Sequence, residues 1–217
     1  MVFGDRNKAG EVLADTILQR YKGTLISPVV VAIPRGGVVV AEPVAEALNA
    51  PLTLVFPRKI GAPFNEEYAI GAVTESGYVL INPDISEDVA LQLGITKEYL
   101  QKKAREEMEE IKRRKEKFKI KDVDFKGRDL ILVDDGIATG LTVKAAIMEL
   151  KSKKPNRVIL AVPVMPAEKV KEFERLVDEL VVLYPAPFFR AVGQFYSDFP
   201  QTPDGEVIDI LEKFGNR

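Results

Sequence analysis

Two adjacent carboxylates, Asp134 and Asp135, end the apolar run Ile131-Leu132-Val133 and are followed by Gly136-Ile137-Ala138-Thr139-Gly140-Leu141-Thr142. The run reads as a buried strand, and a helix is expected to start near Leu141. Each part suits a sugar that carries a phosphate. Carboxylates at a strand end accept hydrogen bonds from neighbouring sugar hydroxyls. A small Gly-containing turn at a helix N-terminus offers backbone N–H groups and a positive dipole end to a phosphate. Thr139 and Thr142 add hydroxyl donors. The stretch contains neither Gly-x-Gly-x-x-Gly nor Gly-x-x-x-x-Gly-Lys, so the dinucleotide fingerprint and the P-loop do not apply. The competing reading is an ordinary strand-to-helix turn, because Asp-Asp-Gly is a common turn sequence.

Pro34-Arg35-Gly36-Gly37 breaks a second apolar, β-branched run, 29–33. Glycines let backbone N–H groups approach an anion closely, and Arg35 supplies a forked cation suited to phosphate oxygens. Its plain alternative is a turn whose glycines serve only backbone geometry. Arg58 and Lys59 follow a third run, 52–56, and residues 60–68 are expected to continue as a mobile loop. Cations at that strand end can neutralise a diphosphate; a solvated basic pair is the alternative.

These groups need strand ends to hold them. Apolar runs at 29–33, 52–56, 130–133, 157–162 and 180–183 read as buried strands, separated by helical patterns near 38–48, 141–151 and 167–176. Residues 11–21 carry Val12, Ala14, Ile17, Leu18 and Tyr21 at helical spacing. Pro43 fits a helix only within the first turn or at a kink. The alternation predicts an α/β fold: a central, mainly parallel sheet with helices on both faces. An insertion, about 57–128, carries a hairpin from 70–74 and 78–81 and a long helix at 96–118. In that helix Lys112, Arg113, Arg114, Lys115 and Lys117 lie within two turns of Glu106, Glu107, Glu109 and Glu110. Mixed signs favour a solvated face over a nucleic-acid stripe. The chain is read as one domain over 1–217, with a small subdomain built mostly from the proline-punctuated C-terminal stretch.

Composition excludes several chemistries. The 217 residues include no His and no Cys, which removes imidazole bases, Ser-His-Asp triads, thiolate nucleophiles and disulfides. A hydrophobic content of 46% supports a sizeable core, and a net charge of −2 argues against general binding to nucleic acid or membrane surfaces. No apolar run reaches membrane-spanning length and the first residues lack a signal-peptide core, so a cytoplasmic location is expected.

Arg6, Ala9-Gly10, Pro34-Arg35-Gly36-Gly37, Arg58-Lys59-Ile60-Gly61, Ile70-Gly71-Ala72 and the Asp134–Gly140 loop together resemble a less-characterised branch of the type I phosphoribosyltransferases. The resemblance spans most of the chain, with the Asp-Asp loop its specific element. It implies transfer of a 5-phosphoribosyl group from phosphoribosyl diphosphate (PRPP) to a nitrogenous base or similar acceptor, with pyrophosphate released. Asp134 and Asp135 would bind the ribose hydroxyls, and Gly136, Ile137, Ala138, Thr139, Gly140, Leu141 and Thr142 would surround the 5-phosphate. Arg35, Gly36 and Gly37 would hold the diphosphate, with Arg58 and Lys59 assisting catalysis. Mg²⁺ is the implied cofactor, held mainly by substrate and water. A peripheral hood, about 184–204, would recognise the base, with Phe188, Phe189, Phe195 and Tyr196 as ring candidates. Those rings suit base stacking and a small hydrophobic core equally. Relatives of this kind are often homodimers. Better-known relatives usually carry a bulky apolar residue where Gly136 stands, which leaves this turn freer in its backbone. The same resemblance admits a PRPP-sensing binding protein without turnover. An unrelated phosphosugar enzyme of the PRPP synthetase kind is disfavoured, because the chain looks short for one and shows no ATP site.

Overall fold

In the computed structural model, which describes residues 3–120 and 123–214, the elements follow in chain order. They are α1 (Arg6–Arg20), β1 (Val29–Ala32), α2 (Gly36–Leu48), β2 (Leu52–Leu54), β3 (Arg58–Ala62) and β4 (Asn65–Val73). Then come β5 (Val79–Ile81), α3 (Glu87–Gln92), α4 (Lys97–Lys117), β6 (Asp129–Val133) and α5 (Leu141–Ser152). β7 (Arg157–Pro166), α6 (Val170–Leu176), β8 (Glu179–Ala186) and α7 (Asp204–Phe214) complete the described chain. Short 3-10 turns occupy Ala167–Lys169 and Val192–Phe195.

The residues group into two compact units. The first comprises Met1–Val55, Ile120–Thr139 and Leu150–Arg217 and contains a five-stranded sheet of order β2-β1-β6-β7-β8. Every pair in that sheet is parallel. β1 and β6 are buried along their whole length, which explains why β1 is apolar throughout and β6 is apolar from Leu130 onward. Each fully buried Val, Leu or Ile there contributes about 1.5–3 kcal/mol of apolar burial. Because β1 is followed by β2 on one side and lies beside β6 on the other, the strand order reverses between β1 and β6.

α1 starts at Asp5, whose carboxylate accepts the Lys8 N–H at 2.7 Å. Its contact with α2 is close at Gly10, where an added Cβ would lie 2.5 Å from the Val40 carbonyl oxygen and 3.0 Å from the Pro43 ring. Pro43 sits in the interior of α2, beyond its first turn. At the amino end of the sheet, buried Asp129 accepts bonds from Arg157, the Asn156 amide and the Ile26 N–H. Burial alone would raise the Asp129 carboxyl, but those bonds together hold it below the ordinary range.

The second unit comprises Phe56–Lys119 and Gly140–Glu149. Its sheet is antiparallel, in the order β3-β4-β5. The 70–81 hairpin expected from the sequence is present as β4 and β5. Residues 60–68, by contrast, are not an irregular loop. They enter the β3–β4 hairpin, where Arg58 pairs with Val73 and Ile60 with Gly71. Gly61 permits the tight return, since a Cβ there would meet the Glu66 carbonyl oxygen at 2.5 Å. α4 is capped by the Thr96 hydroxyl, and Phe118 just beyond its end stacks on Phe56 at 6.1 Å between centroids. Its basic cluster is met by acids as charge pairing requires. Glu110 accepts bonds from Arg113 and Arg114, which lower its carboxyl to about 2, and Lys115 pairs with Glu75. Residues 184–204 group with the first unit, and the insertion supplies most of the second.

Candidate functional site

The first unit brings two of the sequence motifs together. Asp134 and Asp135 leave the carboxyl end of β6 beside the turn that leaves β1, and the ladder extends there through the Ile33 N–H donating to the Val133 carbonyl at 3.0 Å. Arg35 is the N-cap of α2 and supplies no side-chain cap. No side-chain cap therefore covers the start of that 13-residue helix, the positive end of its dipole, although the Val38 N–H donates to the Arg35 carbonyl at 3.1 Å. The Pro34–Arg35 peptide is cis. A Cβ on Gly37 would lie 3.0 Å from Oδ1 of Asp134, and one on Gly36 only 2.0 Å from Oδ2 of Asp135. Gly36 is thus required by close approach of the two loops, and Gly37 sits in a tight space beside it. This is the switch point between β1 and β6, where parallel sheets of this kind bind ligands.

The acids are tied down. Oδ1 of Asp134 accepts the Asp135 N–H at 2.9 Å. Oδ2 of Asp135 accepts Nε of Arg6 at 2.8 Å, and the Asp135 carbonyl accepts the Tyr196 hydroxyl at 2.5 Å. Burial and the adjacent Asp135 charge push the Asp134 carboxyl well above the ordinary carboxylate range. Burial also raises Asp135, against the pull of Arg6. Neighbouring acids in such a place favour a ligand that brings hydroxyl donors.

Downstream, Ile137 is buried and its N–H donates to the Val164 carbonyl at 3.0 Å, while Ala138 and Thr139 are exposed. Gly140, with φ 84°, adopts the left-handed backbone that favours glycine, and its carbonyl accepts the Lys144 N–H at the start of α5. Gly136 behaves differently from the sequence expectation. Its φ is not positive, and Val192 and Val164 fill the space its side chain would occupy, at 2.7 and 2.9 Å from an added Cβ. Packing therefore requires the glycine, and the turn is not a loose one.

Arg35 pairs with Asp204 at 3.6 Å. Arg58 and Lys59 belong to the second unit, where Arg58 donates to Glu107 at 2.7 Å and Lys59 pairs with Glu67 at 3.3 Å. The four ring candidates divide. Phe195 and Tyr196 are buried in a cluster with Phe3, Tyr184, Phe189 and Phe199, with neighbouring ring centroids 4.9–5.7 Å apart. Their placement is that of a small core; Phe188, at 86% exposure, is the ring left open. Arg6 and the hydroxyl of Tyr196 received no role at this site from the sequence. Arg6 lies 129 residues from Asp135 along the chain, and no local pattern announces such a contact.

Comparison with known proteins bears on the family and the fold. The model of the family described as "Phosphoribosyl transferase domain" matches residues 6–199. Two Mycobacterium tuberculosis proteins, of strains CDC 1551 and H37Rv, each carry the name "Putative phosphoribosyl transferase" and are 39% identical over 214 residues, 98% of this chain. The chain spans about half the length of those relatives, 47%. The crystal structure of TT1426 from Thermus thermophilus is 38% identical, covers 99% of both chains and superposes with a TM-score of 0.80. No helix among the described residues is long and apolar enough to cross a membrane.

Proposed function

The chain belongs to the phosphoribosyl transferase domain family, and from that premise we propose that it transfers the 5-phosphoribosyl group of PRPP to a nitrogenous acceptor. In that reaction the C1–O bond to the diphosphate breaks and its electron pair leaves with pyrophosphate. The acceptor nitrogen forms the new bond to C1. One observation carries the reading: the uncapped start of α2, at Gly36 and Gly37, lies against the paired acids Asp134 and Asp135 at the switch point of a parallel sheet.

The residue roles follow from charge. The acids accept hydrogen bonds from the ribose 2′- and 3′-hydroxyls. The N–H groups and hydroxyls of Ala138 to Thr142 receive the 5-phosphate. The N-terminus of α2, with Arg35, receives the departing diphosphate, and Arg35 exchanges its Asp204 contact for phosphate oxygens. Positive charge develops at C1 and negative charge on the leaving group, so the site works by positioning and by stabilising both ends of the breaking bond. Phe188 offers the open ring against which a planar base can stack.

Among the described residues no three His, Cys, Asp or Glu side chains converge on a point that would hold a metal. A magnesium ion would arrive on the diphosphate with mostly substrate and water ligands, and would supply charge neutralisation to the leaving group.

The test is to incubate the protein with Mg²⁺, PRPP and a panel of purine, pyrimidine and other nitrogenous acceptors while following pyrophosphate release. Asp135→Asn serves as the control. Release with at least one acceptor, lowered about 100-fold or more in the variant, is expected. PRPP binding by calorimetry without release would move the protein to the PRPP-sensing class. No binding at all would remove the proposal.

A further inference from the structure

Resting on that reading, we propose that Arg6, the first residue of α1, is a positioning residue for the reaction: it holds the Asp135 carboxylate in one pose and leaves one of its oxygens for the ligand. The Arg6 side chain is 10% exposed and makes three kinds of contact at once. Nε donates to Oδ2 of Asp135 at 2.8 Å, and an Nη donates to the Pro200 carbonyl at 2.7 Å. Cζ lies 3.7 Å from the centroid of the Phe199 ring. A planar guanidinium meets all three demands together, whereas an ammonium cannot stack and fork in the same way.

The surroundings are built around this contact. A Cβ on Gly36 would lie 2.6 Å from Nε, so the diphosphate loop leaves room for the guanidinium only because it carries glycine. Tyr196 holds the backbone of the same acid, and its ring packs on Phe199 at 4.9 Å. Asp135 is thus gripped at its carboxylate from the first helix and at its carbonyl from the C-terminal segment. A buried ion pair adds little net stability compared with an apolar pair of the same shape. A pair placed on a ligand-binding carboxylate does something an apolar pair cannot: it keeps that carboxylate charged and aimed. The charged and titratable groups facing Asp135 are Arg6, Asp134 and the Tyr196 hydroxyl.

The experiment compares wild type, Arg6→Gln and Arg6→Lys in the full chain. PRPP binding is read by calorimetry, and the Asp135 carboxyl by ¹³C nuclear magnetic resonance across pH. Arg6→Gln should weaken PRPP binding by about 10- to 100-fold, with partial recovery in Arg6→Lys. The Asp135 carboxyl should titrate at higher pH in Arg6→Gln, because the cation that favours its charged form is gone. If Arg6→Gln does not fold, Phe199→Leu removes the ring beneath the guanidinium and should shift both readouts in the same direction. Wild-type PRPP affinity in a folded Arg6→Gln, or an unmoved Asp135 titration, overturns the role given to Arg6. Absence of PRPP binding in the wild type overturns the proposed function instead, and the carboxyl titration still decides whether Arg6 governs Asp135.

Discussion

The α-carbon of Gly36 faces the carboxylate of Asp135 so closely that a Cβ would stand 2.0 Å from Oδ2. The atom in the way is the end of a side chain, but Arg6 holds that end. Gly36→Ala must therefore either displace Asp135 from Arg6 or push the start of α2 away from β6. Either movement misplaces a group by about an ångström, enough to cost on the order of 100-fold in turnover. Overpacking also destabilises, by about 1–3 kcal/mol. Steady-state kinetics of pyrophosphate release and urea unfolding read the two effects. A Gly36→Ala protein with normal kcat/KM for PRPP would show that the two loops do not share a ligand.

Asp134 carries the opposite kind of cost. Burial first, and the Asp135 charge second, raise its carboxyl in the folded state. The folded protein therefore binds that proton more tightly than the unfolded chain does. Stability from this group is present below the unfolded pKa and is lost as pH rises through the folded one. Asp134→Asn removes the charge and keeps an oxygen for the bond from the Asp135 N–H. The variant should be more stable than wild type at pH 7 by on the order of 1 kcal/mol, in exchange for lost PRPP turnover. Urea unfolding at pH 7 and pH 4 checks this, with the difference expected to shrink at the lower pH. A loss of stability at pH 7 would contradict the assigned direction.

The five-stranded sheet is legible in the sequence because a strand buried on both faces is dominated by apolar residues, as β1 is throughout and β6 is from Leu130 to Val133. The Asp134–Asp135 loop is legible because its residue types sit at the end of such a run. β3 is obscured for a physical reason: only Ile60 and Ala62 point inward, too short an alternation to outweigh the Gly61 and Pro63 punctuation. The aromatic segment has a composition that fits two roles, and only the ring contacts of Phe195 and Tyr196 distinguish a core from an open face. The grouping of Gly140–Glu149 with residues 56–119 depends on contacts between distant segments, which periodicity does not report. Arg6 belongs to the same class: it precedes the helical spacing of residues 11–21 and is quoted with the family resemblance, but nothing local names Asp135 as its partner.

Gly136 allows the last of these relationships to be measured. Its φ lies outside the left-handed region, so backbone freedom does not explain the glycine. An added Cβ would meet Val192 Cγ1 at 2.7 Å and Val164 Cγ1 at 2.9 Å. Val164 is fully buried in β7, whereas Val192 is only half-buried, in a short 3-10 turn. Gly136→Ala should therefore destabilise by about 1–3 kcal/mol, as overpacked sites do. Val192→Ala should cost less than a fully buried truncation and should open the space that the added methyl group needs. In the double variant the two penalties should fall short of their sum, by about 0.5–3 kcal/mol of coupling. Urea unfolding of the four proteins in the cycle supplies the number. Strict additivity would mean that Val192 does not define the space around Gly136, and that the glycine answers to Val164 alone.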